Sequence, residues 1–220
     1  DNAVDEYLNG YADHITVTLH KNGDAVTVTD NGRGIPVDNH PKYRKPALEL
    51  ILCTLHSGGK FGDTDSYIHS GGLHGVGSSG VNALSKKLVA TIRRDGHEWQ
   101  QTFRRGKPAG PQEKLGPFRG HGTCIYFEPD PEIFKTTHLD PELIKLRLED
   151  MSYIHNGLKI HFKNEVTKET HDLTHTGGIP EFLTKLIADG QKPTVTESPF
   201  LLGRSNGQKM EVALEWAAAT

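Results

Sequence analysis

Apolar and polar residues alternate along several short stretches of the chain, a period-two pattern that predicts β-strands with one buried face. The clearest stretch is residues 14–20, which read His-Ile-Thr-Val-Thr-Leu-His. Residues 21–24 follow, and their Asn-Gly pair is typical of a hairpin turn. Further strands are predicted at residues 25–30, 88–92, 99–103, 122–127, 158–162 and 210–214.

Other stretches have the apolar spacing and the flanking residues of helices. These are residues 1–9, 46–56, 81–84, 143–154 and 179–188. Asp140 and Pro141 are predicted as the N-cap and first residue of the fourth helix. The order α-β-β-α-α-β-β-β-α-β-α predicts an α/β (α+β) sandwich, in which helices pack on one face of a mixed sheet.

Composition narrows the class of protein further. The 220 residues suit one domain, or one domain with a short part of a second, and the net charge of −3 argues against tight DNA binding by this chain itself. The two cysteines, Cys53 and Cys124, form no CxxC pattern, and no apolar run approaches the ~18 residues of a membrane span. We therefore expect a cytoplasmic protein with no membrane partner and no disulfide framework.

The first segment with candidate chemistry is Asp1-Asn2-Ala3-Val4-Asp5-Glu6. On a helix, Asn2 and Glu6 lie one turn apart on the same face. An amide oxygen beside carboxylates suits Mg²⁺, which prefers hard oxygen ligands. From these residues alone, an exposed acidic helix end explains the pattern better.

A second segment, residues 30–36 (Asp-Asn-Gly-Arg-Gly-Ile-Pro), directly follows a predicted strand. Asp30 at a strand end can accept a hydrogen bond from an amino group such as that of adenine. The glycines let a flat ring approach the backbone, and Ile35 and Pro36 offer it an apolar surface. The alternative is a glycine-rich turn with a surface aspartate, because DxGxG by itself is a weak signal.

The densest glycine region supplies the third segment, Ser57-Gly58-Gly59-Lys60-Phe61 followed by residues 70–77 (Ser-Gly-Gly-Leu-His-Gly-Val-Gly). Successive backbone N–H groups at a helix start bind anions, and Lys60 adds a positive charge for a terminal phosphate. This predicts a phosphate cradle over Gly72, Leu73, His74, Gly75, Val76 and Gly77, with residues 62–69 as a lid. The alternative is a disordered glycine loop.

Thr123 opens the predicted strand 122–127, and its hydroxyl is a candidate contact to a base edge, directly or through water. Without further context, an ordinary strand threonine is the better explanation. The thirteen histidines show neither HExxH nor a CxxC…HxxxH spacing, so no zinc site is predicted.

Taken together, these segments resemble the GHKL ATPases in order and spacing, and most closely the gyrase B and topoisomerase IV B family. The resemblance spans the whole chain and depends on the following motifs: DNAVDE at 1–6, DNGRGIPV at 30–37, LHSGGKF at 55–61, SGGLHGVG at 70–77, VNALS at 81–85, GGIPEF at 177–182 and EVALEW at 211–216. It implies the GHKL (Bergerat) ATP-binding fold over residues 1–207, with a mostly antiparallel sheet. It also implies that residues 208–220 begin a transducer domain.

The resemblance also implies roles for individual residues. Asn2 would be the Mg²⁺ ligand, with Glu6 close to the same site. Asp30 would bind adenine with Gly34, Thr123 and the apolar Ile35 and Ile125. Arg33, Pro36 and Arg94 would line the pocket mouth, while Lys60 and the residue 72–77 run would hold the phosphates. Lys60 would also stabilise charge on the transferred phosphoryl group.

At the level of the whole protein, the resemblance implies a type II DNA topoisomerase in which ATP binding and hydrolysis close a dimer gate. The implied partners are a second B subunit, an A-type subunit, DNA and aminocoumarin-type inhibitors. In this family the general-base glutamate lies three residues before the aspartate that here is Asp1. We therefore expect this 220-residue chain to bind nucleotide but to hydrolyse it poorly. The competing interpretation is a chaperone-type or mismatch-repair-type GHKL module that uses ATP as a conformational switch.

Overall fold

The computed structural model describes residues 1–54, 77–191, 193–205 and 209–217. The helices are α1 (Asn2–Leu8), α2 (Ala47–Cys53), α3 (Gly77–Ala83), α4 (Pro141–Ile154) and α5 (Gly178–Asp189). The strands are β1 (His14–Leu19), β2 (Val26–Asp30), β3 (Ser85–Arg94), β4 (His97–Arg104), β5 (Lys107–Pro108), β6 (Glu113–Pro117), β7 (Gly122–Pro129), β8 (Lys159–Asn164), β9 (Glu169–Leu173), β10 (Phe200–Ser205) and β11 (Lys209–Leu214).

One large sheet organises the described part of the chain. Its strand order is β5-β4-β3-β7-β2-β1-β8-β9, and β6 pairs with β4. Only β1 and β8 run parallel among these described strands, with Ile15 opposite Ile160. The predicted mixed, mostly antiparallel sheet is therefore confirmed.

The two faces of this sheet differ in chemistry, as the alternating pattern predicts. On one face, neighbouring strands place a row of mostly apolar residues in register: Phe162, Val17, Val28, Ile125 and Ala90. The adjacent row on the opposite face consists of Thr16, Thr29, Cys124, Thr91 and Gln100. Helices can bury apolar surface only against the first of these faces.

Two buried clusters fill the space between that face and the helices. The first joins α1 to β1 and β8 through Val4, Val17 and Phe162, and Leu148 of α4 packs against it. The second joins α2 to β3 and β4 through Leu48, Leu88 and Phe103. Phe127 packs against both clusters, so the helices share one face of the sheet, as predicted.

Local sequence patterns predict most ends of the helices and strands to within a few residues. The Asp140 carboxylate accepts hydrogen bonds from the backbone nitrogens of Glu142 and Leu143, which confirms it as the N-cap of α4. Helix α3 begins at Gly77, where the glycine-rich run predicts a helix start, and it includes residues 81–83 of the predicted helical stretch. The predicted final residues of α2, 55 and 56, lie outside the described residues.

Strands β5, β6, β9 and β10 were not predicted. β6 and β9 carry few apolar residues and are mostly exposed, so the alternation that marks a half-buried strand is missing. β10 pairs with β11 in a separate two-stranded sheet, and the predicted domain boundary at residue 207 falls between these two strands. No helix in the described ranges is long and apolar enough to cross a membrane.

Candidate functional site

Three strand ends meet at one edge of the main sheet. β2 ends at Asp30, β7 begins at Gly122, and β3 ends at Arg94. Since β7 lies between β2 and β3 and pairs with both, Thr123 lies opposite Ile92 and next to the end of β2. The antiparallel order thus brings Asp30, Thr123 and Arg94 together, although they are far apart in the sequence.

The Asp30 carboxylate is the buried acid at this edge, with only 5% of its surface exposed. Its Oδ1 accepts hydrogen bonds from the backbone nitrogens of Gly32 at 2.8 Å and Thr123 at 3.2 Å. Both described bonds use Oδ1, so neither occupies Oδ2. An acceptor held in this way is suited to a neutral N–H donor of a ligand.

Burial raises the pKa of Asp30 to about 6, because removal from water disfavours the charged carboxylate. The two backbone hydrogen bonds oppose this increase, and the nearby Glu6 carboxylate adds to it. A perturbed carboxyl at a sheet edge is a frequent feature of binding and catalytic sites.

Thr123 holds the loop after β2 through its own side chain. Its Oγ1 accepts a hydrogen bond from the backbone nitrogen of Ile35 at 3.2 Å, while its backbone nitrogen binds Asp30. Arg94 supports the same loop, because its Nη1 donates to the carbonyl of Gly34 at 2.8 Å. Pro36 and Ile125 are partly exposed beside this loop, so they can offer a ligand an apolar surface.

Glu6 on α1 is bound to Arg33 in this loop. Its Oε2 accepts from the Arg33 backbone nitrogen at 2.8 Å, and its Oε1 accepts from Nη2 at 2.8 Å. The Arg33 guanidinium also lies 3.6 Å from the ring centroid of Tyr11. Removing one partner of such a buried pair typically destabilises a fold by about 3–5 kcal/mol. The structure therefore places Glu6 as the link between α1 and the loop.

The start of α1 borders the start of α3. A Cβ added at Gly77 would lie 3.4 Å from Oδ2 of Asp1, while Asn2 in the first turn is partly exposed. The remaining predicted phosphate residues, Lys60, Gly72, Leu73, His74, Gly75 and Val76, lie outside the described residues. Gly77, the last of the run, is the first residue of α3, in agreement with a helix start there.

The described residues contain no cluster of three or more histidine, cysteine, aspartate or glutamate side chains able to hold a metal. The role of Asn2 as a Mg²⁺ ligand stays a prediction.

Sequence reasoning missed two side chains that shape the site. The Asn31 amide binds the start of β1 through the backbone nitrogens of Asp13 and His14. His121 contacts the carbonyl of Gly32, which is 89 positions away in the chain. A contact of this range leaves no local pattern, so only the sheet order brings the two residues together.

Comparison with known proteins agrees with this geometry. Residues 1–133 match the family described as histidine kinase-, DNA gyrase B- and HSP90-like ATPase. The gyrase B subunit of Clostridium acetobutylicum is 43% identical over 98% of this chain and 34% of its own length. That of Thermotoga maritima is 48% identical over 87% of this chain and 30% of its own length.

Among solved structures, the 43K ATPase domain of Thermus thermophilus gyrase B, in complex with an aminocoumarin, is similar with a TM-score of 0.81 and 38% identity. The match covers 99% of this chain and 55% of that one. The chain spans about a third of the length of the curated relatives above. On these matches, the chain belongs to the family of histidine kinase-, DNA gyrase B- and HSP90-like ATPases and is similar over nearly its whole length to gyrase B subunits.

Proposed function

We propose that this chain is the ATP-binding unit of a type II DNA topoisomerase B subunit, of the gyrase or topoisomerase IV kind. The observation that carries the proposal is the Asp30 carboxylate, held through Oδ1 by Gly32 and Thr123 at the meeting point of three strands. Membership of the ATPase family supports ATP as the ligand.

In this proposal the exocyclic amine of adenine donates to Oδ2 of Asp30. Thr123 assists directly or through a bound water, and Gly34 allows the base to approach the backbone. Ile35, Pro36 and Ile125 supply apolar surface for the ring, while Arg33 and Arg94 line the mouth of the pocket. Hydrogen bonds join Ile35 to Thr123 and Gly34 to Arg94 at this sheet edge, and Ile125 packs against the cluster that contains Ile35.

The phosphates are proposed to extend from this edge toward the start of α3. Gly72, Leu73, His74, Gly75, Val76 and Gly77 would bind them through backbone N–H groups, and Lys60 would neutralise the terminal phosphate. Asn2 would supply one oxygen ligand to Mg²⁺, which would neutralise charge between the phosphates. The position of α1 beside Gly77 supports this arrangement.

For the whole protein, we propose that ATP binding and hydrolysis close a dimer gate and drive DNA strand passage. Its partners would be a second B subunit, an A-type subunit and DNA, and it would act in the cytoplasm. Residues 208–220 would begin the transducer domain. The gyrase B relatives support this assignment over a chaperone-type or repair-type ATP switch.

The same pocket is proposed to bind aminocoumarin inhibitors through Asp30, Arg94 and Thr123. The complex of the similar Thermus thermophilus domain with an aminocoumarin supports this proposal. Because the inhibitor and adenine would share Asp30, they should exclude each other.

Nucleotide affinity should decrease as pH falls through about 6, the pKa of Asp30 in the free chain. Because Oδ1 already accepts two N–H groups, the proton goes to Oδ2, which then presents an O–H donor to the amine. One pH unit below the pKa, about one site in eleven is ionised. Apparent affinity for a non-hydrolysable ATP analogue should therefore be about tenfold weaker at pH 5 than on the plateau near pH 8. Titration calorimetry across this pH range measures the change.

Carboxyl ¹³C NMR of Asp30 separates this effect from protonation of the ligand's own phosphates. Since the ligand prefers the ionised form, saturation with nucleotide should lower the pKa of Asp30. An Asp30 pKa that is unchanged by bound nucleotide would contradict the proposed contact. Absence of nucleotide binding at pH 8 would contradict the proposed function itself.

A further inference from the structure

His121 lies in the turn before β7 and reaches across to the loop after β2. Its Nδ1 lies 2.6 Å from the carbonyl oxygen of Gly32. A carbonyl oxygen only accepts hydrogen bonds, so Nδ1 carries the proton and donates. His121 itself is exposed, which separates this contact from the hydrophobic core.

This bond completes a clamp on a single peptide group, the one that joins Gly32 to Arg33. At one end of that group the Gly32 oxygen accepts from His121. At the other end the Arg33 nitrogen donates to Oε2 of Glu6 at 2.8 Å. The two clamping side chains come from different parts of the fold, the turn before β7 and helix α1.

A clamp matters here because residue 32 is a glycine packed against two carboxylates, those of Glu6 and Asp30. A Cβ at this position would lie 2.6 Å from Oε2 of Glu6 and 2.9 Å from Oδ1 of Asp30, so a larger residue would displace both carboxylates. Glycine, however, places little restriction on its own backbone dihedrals. Without the bond from His121, the glycine's own backbone does little to fix the orientation of the Gly32 carbonyl, and residue 32 can shift.

Gly32 also contacts Asp30, through its own nitrogen, which belongs to the preceding Asn31–Gly32 peptide. This nitrogen donates to Oδ1 at 2.8 Å and helps to orient the carboxylate, so a shift of Gly32 away from Asp30 would break that bond. The Thr123 nitrogen alone would then hold Oδ1, at 3.2 Å. The direction of Oδ2 toward a ligand would no longer be fixed before binding, and lost preorganisation lowers affinity.

We propose that His121 is a positioning residue for nucleotide binding, which locks the Gly32–Arg33 peptide and so aims the Asp30 carboxylate at the adenine amine. The inference rests on the proposed function and adds a residue with no direct contact to the nucleotide. This role depends on the N–H donor at Nδ1, because the bond to Gly32 is the only hydrogen bond of the His121 side chain among the described residues.

The test compares two replacements of similar size in the full 220-residue chain. His121→Asn keeps an amide N–H donor near the position of Nδ1, whereas His121→Leu removes it. With the non-hydrolysable ATP analogue and Mg²⁺, we expect His121→Leu to weaken binding about 3- to 10-fold, the range for one net hydrogen bond. His121→Asn should stay within about twofold of the original chain.

Amide hydrogen exchange gives a second readout that needs no nucleotide. In His121→Leu the exchange of the Arg33 and Gly32 amides should accelerate, while amides in the centres of β3 and β7 remain unchanged. If His121→Asn keeps both the nucleotide affinity and the amide protection that His121→Leu loses, the N–H donor is responsible. A general loss of packing would affect both variants.

The outcomes separate this inference from the function on which it rests. Equal affinity of the original chain and His121→Leu, with unchanged exchange at Arg33, would overturn the role of His121 and leave the proposed function intact. Equal weakening by the asparagine and leucine variants would also overturn it. Failure of the original chain to bind nucleotide would overturn both.

Discussion

Asp30→Asn is expected to abolish binding of adenine nucleotides while leaving the fold intact. Oδ1 accepts two backbone N–H groups, from Gly32 and Thr123, so the asparagine oxygen should take that position. Its NH₂ group would then occupy the position of Oδ2 and face the adenine amine. Two donors would oppose each other where a charge-assisted hydrogen bond had formed.

The expected loss of affinity is at least about 100-fold, which corresponds to ~2.7 kcal/mol. Titration calorimetry with the non-hydrolysable ATP analogue and Mg²⁺ measures it at pH 7.5. Asp172→Asn is the matched control, because it makes the same chemical change on an exposed residue of β9, at the far edge of the sheet. Unchanged affinity in Asp30→Asn would remove Asp30 from its proposed role.

The stability of Asp30→Asn follows from the sign of its pKa shift. A carboxyl whose pKa is higher in the folded than in the unfolded state destabilises the fold when it is ionised. For Asp30 this destabilisation is complete above the folded-state pKa of about 6, and it disappears as the pH falls below the unfolded-state pKa of 3.8. Replacing the charged group by a neutral amide should therefore not lower the free energy of unfolding at pH 7.5. A large loss of stability in Asp30→Asn would show that the carboxylate stabilises the fold and is not reserved for binding a ligand.

Gly122→Ala is expected to lower the stability of the fold strongly. Gly122 opens β7 with a φ of 136°, in the region that favours glycine, and an added Cβ would overlap the carbonyl oxygen and carbon of Asp30. The clash is with backbone, so a side-chain rotation cannot relieve it. The end of β2 and the start of β7 would have to separate, and we expect a loss of at least about 3 kcal/mol in the free energy of unfolding.

Alanine variants of two other glycines separate backbone strain from atomic overlap as causes of this loss of stability. Gly96 also has a positive φ, 74°, but an added Cβ would meet no atom within 4 Å, so Gly96→Ala should lose only about 1 kcal/mol from backbone strain. Gly110 has neither feature, and Gly110→Ala should be nearly neutral. Urea denaturation of all three variants ranks them, and a Gly122→Ala variant no less stable than Gly96→Ala would contradict the account of the strand junction.

Much of the fold could be predicted from the sequence because its physical signals are local. The alternation of Ile15, Val17 and Leu19 marks a strand with one buried face, and Asp140 before Pro141 marks the start of a helix. β9 was missed because its stability comes from pairing with β8 and not from an apolar face of its own. Pairing partners are set by the whole sheet and leave no signal in a short window.

The same distinction applies to the site. The short DNGRGIPV segment predicted Asp30, Gly34, Ile35 and Pro36 as neighbours, and the structure bonds the first three of them to Thr123 or Arg94. Sequence reasoning also associated Glu6 with a metal, and that role stays a prediction. What it could not anticipate is the pairing of Glu6 with Arg33, since this depends on how α1 packs against the sheet.

The measurement that tests the central claim most directly is competition between nucleotide and inhibitor on the 220-residue chain. Calorimetric titrations with the non-hydrolysable ATP analogue and Mg²⁺ are run with and without a saturating aminocoumarin. If Asp30 forms the adenine site, both ligands bind with one-to-one stoichiometry and each abolishes the heat of the other. Simultaneous binding of both ligands, or binding of neither to a chain shown to be folded, would contradict the assignment of this sheet edge as the ATP site.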